Sequence, residues 1–312
     1  MTVEIRRATT DADLAELAAV INAVTPEDPA SMDEMRWSDA TYPGGARFLA
    51  AVDGRVVGAA TVGRIYVFPP EHPELWCSAV VLESSRRRGV GSALLANISA
   101  HAREAGKIGL QCRAWEHRPE GIAFLVNRGF RELERAHMVS LDLAGLPRPV
   151  VAPPPGISLS TLADRPDLFA GVHAVALETF DDIPGGDTPM AAGDLAEFRA
   201  RDVERPGIPP DAFMIAVDEG TGAVVGYASL MLRPGSTTVA WHDMTAVRRA
   251  WRGRGVATAL KVATIDWAVR RGLTTLETGN DEDNAGMRAI NARLGYRPLP
   301  DELTMRGPLA PQ

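Results

Sequence analysis

A short pattern of arginine, glycine and a second small residue occurs twice in this 312-residue chain, 166 residues apart. The first copy is ESSRRRGVGSALL at 83–95 and the second is RRAWRGRGVATAL at 248–260. Each follows an apolar run typical of a buried strand and leads into an apolar helical pattern. A repeat this long indicates a duplicated domain, because the units of solenoid proteins are only about 20–50 residues long.

The elements predicted around the two copies also follow the same order. Each half begins with a strand and a helix, then has a strand hairpin and a third strand before the turn, and ends with helix, strand, helix and strand. Between the halves lies LPRPVVAPPPG at 146–156, whose five prolines exclude a helix or a central strand. We therefore predict an α/β protein with domains at 1–145 and 157–312, joined by a proline-rich linker at 146–156.

The composition excludes several functional classes. No run of 18 apolar residues occurs and the N-terminus does not resemble a secretory signal, so we expect a cytoplasmic protein without a membrane partner. The formal charge of −7 argues against a nucleic-acid partner. Cys77 and Cys112 lie on predicted strands, and two cysteines form neither a disulfide scaffold nor a zinc site. We expect buried, reduced thiols and no metal.

The repeated turn is suited to binding an anion. The N-terminus of a helix carries unpaired backbone N–H groups and a partial positive charge, and small residues allow an anion to approach them. The predicted cradles are Arg86, Arg87, Arg88, Gly89, Val90, Gly91 and Ser92 in the first half, and Arg252, Gly253, Arg254, Gly255, Val256, Ala257 and Thr258 in the second. A dinucleotide fingerprint is a poorer match because its third glycine is missing, and no Walker pattern occurs.

The pattern Arg-x-x-Gly-x-Gly/Ala after an apolar strand, together with NAGMRAINARLGY at 284–296, resembles the GCN5-related N-acetyltransferase (GNAT) superfamily. The resemblance implies two tandem acyl-CoA N-acyltransferase-like domains, each a mixed, mostly antiparallel sheet flanked by helices. It also implies acetyl-CoA as the cofactor, with its pyrophosphate on the turn and its pantetheine along the preceding strand. Beyond the turns, the residues implied to bind it are Val81, Leu82, Thr245, Ala246, Val247, Asn280 and Asn284.

The late helix departs from the family pattern in both halves. Where the family often has a tyrosine that protonates the leaving thiolate, the second half has Asn291 and the first half has Leu125. The first half also has Arg118 at the position of Asn284. The second half therefore keeps more of the polar residues that the reaction uses.

Acid–base candidates also concentrate in the second half. His242 and Asp243 alternate on the strand before the turn, and strand parity favours Asp243 because it shares a face with Thr245. Glu277 on the next strand is a further option. The first-half equivalents of His242 and Asp243 are Trp76 and Cys77, so only Glu116 and His117 remain as candidates there. We predict that the C-terminal domain catalyses, with Asp243, Asn291 and His242 as its catalytic residues, and that the N-terminal domain is degenerate.

The acceptor is predicted from the two least regular segments. Residues 25–37 and 181–194 are acidic, which favours a small, cationic amine as the acceptor. The leading hypothesis is thus an N-acetyltransferase that moves an acetyl group from acetyl-CoA directly to such an amine. Two alternatives stay open: a mycothiol-synthase-like tandem acetyltransferase, and a non-catalytic module that senses acyl-CoA. The sequence leaves the oligomeric state open.

Overall fold

The computed structural model describes residues 2–183 and 187–311. It divides into unit 1, formed by residues 1–135 and 301–312, and unit 2, formed by residues 136–300. Pro184, Gly185 and Gly186, which belong to the acidic segment 181–194, lie outside the described residues. Within the described part of the chain, no helix is both long and apolar enough to cross a bilayer.

The elements follow the predicted order in both halves. The first half contains β1 (Val3–Arg7), α1 (Asp11–Val24), α2 (Met32–Thr41), β2 (Ala46–Val52), β3 (Arg55–Gly63), β4 (Glu74–Val81), α3 (Val90–Glu104), β5 (Gly109–Trp115), α4 (Pro119–Val126) and β6 (Arg131–Asp142). The second half contains β7 (Ile157–Thr161), α5 (Phe169–Thr179), α6 (Leu195–Asp202), β8 (Met214–Asp218), β9 (Val224–Leu232), β10 (Val239–Val247), α7 (Val256–Arg270), β11 (Thr275–Asp281), α8 (Ala285–Arg293), β12 (Arg297–Pro298) and β13 (Glu302–Pro308).

Local sequence explains where these elements begin and turn. Thr10 and Asp13 form a reciprocal capping box at the start of α1. Asp53 and Gly54 both adopt positive φ angles, of 50° and 74°, and join β2 to β3 as the Asp-Gly signal predicts. Both cysteines are free and buried on strands of unit 1.

Each unit is built on a mixed, mostly antiparallel sheet. The strand order is β1-β2-β3-β4-β5-β13 in unit 1 and β7-β8-β9-β10-β11-β6 in unit 2, with β12 paired to β6. Strand β4 pairs with β5 in parallel, as does β10 with β11, and the other pairings described within each unit are antiparallel. Alternation along β2 shows how helices cover both faces: Phe48 packs in the core beneath α3, and Leu49 packs in the core beneath α1. The predicted fold class is confirmed.

The domain boundary differs from the prediction. Strand β13, from the end of the chain, pairs with β5 and belongs to unit 1, whereas residues 136–142 of β6 pair with β11 in unit 2. The units thus divide after residues 135 and 300, and the proline-rich segment 146–156 lies inside unit 2. The segment is irregular as expected, but strand pairing is a tertiary contact that a linker pattern cannot reveal. Each half of the sequence therefore contributes its last strand to the other unit.

Candidate active site

In unit 2 the two parallel strands β10 and β11 separate part-way along their length. Their pairing ends at Trp241 opposite Glu277, although β10 continues to Val247 and β11 continues to Asp281. The separated ends leave a wedge-shaped opening, which we call the unit 2 cleft. Thr278 Oγ1 of β11 donates to the carbonyl oxygen of His242 at 3.0 Å, and the β10 backbone from Thr245 to Val247 has no ladder pairing with β11, so that stretch offers hydrogen bonds to an extended ligand.

A β-bulge in β10 lies at the closed end of this cleft. The pairing with β9 passes from His242 opposite Leu230 to Thr245 opposite Ala228, so β10 has one extra residue there. His242 and Thr245 consequently share a face, and His242 Nε2 lies 3.4 Å from Thr245 Oγ1. The prediction that Asp243 shares a face with Thr245 is therefore wrong, because alternation fails across a bulge. In unit 1 the pairing of β4 with β3 has no such shift.

The turn before α7 has the geometry of an anion cradle. Gly255 caps α7 with φ of 85° in the left-handed region, which glycine adopts without strain, and no side chain caps the helix. The first turn, starting at Val256, therefore presents N–H groups without a side-chain cap. Gly253 also has a positive φ, and the Arg254 guanidinium lies 4.9 Å from the ring centroid of Trp251. In unit 1 Gly89 caps α3 with φ of 83°, so the two turns are built alike.

The leading arginine of each turn fixes the loop to the preceding strand. Arg252 Nε donates to the carbonyl oxygen of Val247 at 3.1 Å, and Arg86 Nε donates to the carbonyl oxygen of Val81 at 3.2 Å. Arg252 also pairs with Asp182 at 2.6 Å. These predicted phosphate ligands thus also hold the shape of the turn.

In unit 1 the helix α4 lies against the cradle. A Cβ placed on Gly91 would be 3.2 Å from the Phe124 ring, so the ring packs against the first turn of α3. Arg128 donates to Ser92 Oγ at 2.8 Å, and its guanidinium lies 3.6 Å from the centroid of the same Phe124 ring. Phe124 and Arg128 thus contact the first turn of α3, beside the Gly89 cap.

The late helix of unit 2 presents a buried amide. Asn291 is 2% exposed, and neither its Oδ1 nor its Nδ2 has a hydrogen-bond partner among the described residues. It is the only buried residue of α8, whereas α4 in unit 1 packs Ile122, Phe124 and Leu125 against the core. An unpaired buried amide is unfavourable by about 1–3 kcal/mol, so such a group usually has a ligand or water as its partner.

The other two asparagines of the prediction lie beside α8 and β11. Asn284 is the N-cap of α8, and its side-chain oxygen accepts a hydrogen bond from the Met287 N–H at 3.1 Å. Asn280 is buried in β11, on the strand that forms one side of the unit 2 cleft. Asn284 thus has a local capping role that the sequence also explains.

A polar cluster is buried between β10 and α7. His242 Nδ1 lies 3.3 Å from Tyr296 Oη, and His242 Nε2 lies 3.4 Å from Thr264 Oγ1. His242 is 1% exposed, and burial holds its pKa well below the usual value, with the nearby Lys261 charge acting in the same direction. Burial therefore favours a neutral imidazole, which holds Tyr296, Thr264 and Thr245 in position.

Asp243 lies on the opposite face of β10, towards α6. Its carboxylate accepts a hydrogen bond from Ser229 Oγ at 3.3 Å, and although Asp243 is exposed at the surface, the protein packed around the carboxylate raises its pKa, with the charge of Arg205 opposing that rise. Asp202 at the end of α6 pairs with Arg201 at 2.7 Å, yet burial raises the pKa of Asp202 to about 7, and the Asp243 charge adds to the rise. Two carboxyl groups with raised pKa values thus interact beside the bulge.

The remaining acid–base candidates are held in ion pairs. Glu277 pairs with Arg233. Glu116 accepts a hydrogen bond from the Asp301 N–H at 3.1 Å, and His117 lies 3.6 Å from Glu27. No cluster of three or more possible metal-ligating side chains occurs in residues 2–183 and 187–311.

The acidic segments predicted to steer the acceptor are largely neutralised. In the segment 25–37, Glu27 pairs with Arg118 at 2.7 Å and Asp28 pairs with Arg113 at 2.6 Å. In the second segment, Asp182 pairs with Arg249 and Arg252, and Asp194 caps α6. Charge in these segments therefore stabilises the chain locally, whereas Asp202 and Asp243 are carboxyl groups beside the bulge.

Four residues near the cleft were missed by the sequence reasoning: Asp202, Tyr227, Lys261 and Tyr296. The burial of Lys261 could have been predicted from the sequence, because helical spacing places it on the face of α7 that also buries Leu260 and Thr264. Tyr227 is 1% exposed, and its hydroxyl has no partner among the described residues. Its proximity to Asp202 and Asp243 arises from tertiary packing alone.

A family sequence model decides the assignment. The Acetyltransferase (GNAT) family model matches the chain twice, at residues 14–130 and 178–296. The chain belongs to the GNAT acetyltransferase family. The two matched regions cover both cradles and both late helices, so the predicted tandem relationship is confirmed.

Curated relatives and solved structures agree with this assignment. A mycothiol acetyltransferase of Amycolatopsis mediterranei (strain U-32) is 28% identical over 82% of this chain and 82% of its own length. A mycothiol acetyltransferase of Parafrankia sp. (strain EAN1pec) is 27% identical over 95% of this chain and 96% of its own length.

Among solved structures, a tandem GNAT protein from the clavulanic acid biosynthesis pathway superposes with a TM-score of 0.80 at 25% identity, over 100% of both chains. A GCN5-related N-acetyltransferase from Sphaerobacter thermophilus superposes with a TM-score of 0.71 at 21% identity, over 99% of this chain and 96% of that chain, and supports the fold alone. The chain is therefore a tandem GNAT acyltransferase.

Proposed function

We propose that the chain uses acetyl-CoA as its acyl donor and acetylates the amino group of a small molecule in the unit 2 cleft. The observation that carries this proposal is Asn291, whose amide is 2% exposed and has no partner among the described residues. It lies on the helix that follows the cleft strand β11 and needs both a donor and an acceptor. The pantetheine amides and the thioester carbonyl of acetyl-CoA supply both.

The residues around the cleft fit that donor. The α7 N-terminus, capped by Gly255 without a side chain, suits the pyrophosphate, and the stretch of β10 from Thr245 to Val247, which has no partner on β11, suits pantetheine. Asn280 and Asn284 lie along the same path. When bound, acetyl-CoA supplies the acetyl group as a thioester.

We assign the general base to Asp243. An amine acceptor carries a proton at neutral pH and must lose it before it attacks, so a carboxylate with a raised pKa is suited to accept that proton. The neighbouring carboxyl of Asp202 adds negative charge on the same side of β10. A cationic acceptor is therefore favoured by Asp202 and Asp243 beside the bulge, and not by the acidic segments 25–37 and 181–194.

Unit 1 is assigned a structural role. Phe124 and Arg128 contact the first turn of its cradle helix, and its strand β4 lacks the bulge. Leu125 occupies the position at which unit 2 has the buried amide of Asn291. The stretch from the last residue paired with the neighbouring strand to the glycine cap is also two residues shorter in unit 1 than in unit 2. It runs from Cys77 to Gly89 in unit 1 and from Trp241 to Gly255 in unit 2.

The acceptor is proposed from the relatives. Because the curated relatives are named mycothiol acetyltransferases and match most of their own length, the desacetyl form of mycothiol is the first acceptor to test. Simple primary amines form the comparison panel. Acetyl-CoA binding without thiol release for any acceptor would instead support the sensing role.

The test is release of the CoA thiol with each acceptor, together with the mass of the acetylated product. We expect transfer by the wild-type chain and a fall in kcat of about 100-fold or more for Asp243→Asn, because general bases contribute about 10²–10⁴-fold. Glu116→Gln, which alters the candidate acid of unit 1, should leave kcat unchanged. An unchanged kcat for Asp243→Asn would remove Asp243 from the mechanism.

A further inference from the structure

Lys261 is a buried cation for which the fold supplies no counter-ion. It is one of only two lysines in the chain and is 1% exposed. Its Nζ lies 5.4 Å from the ring centroid of Tyr296, and within the described residues no carboxylate pairs with it. Burying a charge without an opposite charge is strongly unfavourable, so a lysine kept at this position indicates a role other than stability.

The position of Lys261 connects it to the unit 2 cleft. Its ring partner Tyr296 has its hydroxyl 3.3 Å from His242 Nδ1, and His242 Nε2 lies 3.4 Å from Thr245 Oγ1. Thr245 begins the stretch of β10 beyond the bulge, where β11 no longer pairs with it. Lys261 thus lies on the α7 side of β10, and Tyr296 connects it to His242 at the closed end of the cleft.

The charged groups facing Lys261 are few. From β10 it is faced by His242, whose pKa burial keeps low, and from the end of α8 by Tyr296, whose pKa burial raises, so neither bears a charge near neutral pH. The strands β8 and β9 pack apolar residues such as Met214, Ala228 and Leu230 in the core beneath α7. On α7 itself Asp266 pairs with Arg148 and Arg270, and Asp211 accepts a hydrogen bond from Trp267 Nε1.

We propose that Lys261 is an electrostatic residue of the transfer reaction, whose buried ammonium stabilises the negative charge that develops on the coenzyme A sulfur as the acetyl group leaves. This inference rests on the proposed function. The late helix has Asn291 where a tyrosine would donate a proton to that sulfur, so α8 leaves the charge without a proton donor. Lys261 keeps its proton and forms no bond, and it acts through its field, which is strong in a site of low polarity.

The titration of Lys261 sets the pH dependence. Burial lowers its pKa to about 7 from 10.5, so about half of the ammonium remains at pH 7, most of it is present at pH 6, and it is lost as the pH rises above 7. Between pH 7 and 10.5 the unfolded chain binds this proton and the folded chain does not, so stability rises with pH across that window. Replacing Lys261 by an apolar side chain removes this dependence.

The test compares Lys261→Met with Lys107→Met, which removes the other lysine, a unit 1 residue that donates to the backbone at His72. The first readout is kcat for thiol release by each protein at pH 6, where Lys261 is charged, and at pH 9, where it is neutral. We expect Lys107→Met to match the wild type at both pH values.

The second readout pairs kcat with thermal unfolding. The ratio of wild-type kcat to that of Lys261→Met should be about tenfold at pH 6 and fall towards one by pH 9. The Tm of Lys261→Met should equal or exceed that of the wild type at pH 7, with a gap that narrows towards pH 10.

Each contrary result has its own meaning. A ratio of wild-type kcat to that of Lys261→Met that is the same at pH 6 and pH 9, or a loss of kcat accompanied by a lower Tm, would overturn the role of Lys261 while leaving the acetyltransferase proposal intact. Binding of coenzyme A to the wild type without transfer to any amine would contradict the proposed function and, with it, the role of Lys261. Absence of coenzyme A binding to the wild type would contradict both.

Discussion

At the scale of single residues, the side chains that distinguish the two units are buried polar ones. Asn291 has a buried amide in unit 2, and the matching residue of unit 1 is Leu125, which packs in the core. His242, which is 1% exposed, has Trp76 as its counterpart. Polar groups kept inside one copy at a cost in stability, and replaced by apolar groups in the other, indicate which copy retains chemistry.

Asn291→Leu is expected to separate activity from stability. Removing an unpaired buried amide should raise the free energy of unfolding by up to about 1–3 kcal/mol, while the lost contacts to the thioester should lower kcat by tenfold or more. Chemical denaturation and thiol release measure the two effects. Asn127→Leu, an exposed asparagine at the end of α4, should change neither. A variant of Asn291 that is less stable and fully active would identify a structural amide.

At the scale of elements, two features position the site: the bulge in β10 and the exchange of final strands. The bulge turns His242 and Thr245 to the same face and leaves Asp243 on the other. Strand β13 completes unit 1 by pairing with β5 from Leu110 to Ala114 and beyond. The last strand of the chain is thus part of the core of the first unit.

Gly307→Ala tests the role of β13. A Cβ at Gly307 would lie 2.3 Å from the Phe130 ring, which is buried in the unit 1 core, so we expect a loss of stability of about 2 kcal/mol or more. Gly286→Ala in α8, where nothing lies within 4 Å, is the matched control and should be tolerated. Thermal unfolding measures both. Equal stability of the two variants would mean that β13 does not pack on Phe130.

At the scale of the whole molecule, sequence predicted the periodic features and missed the tertiary ones. The duplicated turn, the element order and the buried cysteines all follow from patterns local to the chain. The bulge shifted the face of Asp243 because one extra residue breaks a period of two, and nothing in WHDMTAV marks it. The strand exchange and the pairing of Lys261 with Tyr296 join residues far apart in sequence, so no local pattern contains them.

The contact of α4 with the unit 1 cradle is another tertiary feature that no local pattern contains. Gly89 and Gly255 have almost the same φ angles, so the two turns look equivalent as local structure. The difference arises from α4, whose Phe124 and Arg128 contact the first turn of α3. The side chains that pack beside a cradle thus depend on a helix that the motif does not include.

The most direct measurement is a calorimetric titration of the chain with acetyl-CoA, read for stoichiometry. We predict one site per chain, lost in Gly255→Glu, which places a carboxylate in the open cradle, and kept in Gly255→Ala, where only backbone strain is added, and in Gly89→Glu. Two sites per chain, or one site that is lost in Gly89→Glu and survives in Gly255→Glu, would contradict the assignment of the acetyltransferase site to unit 2.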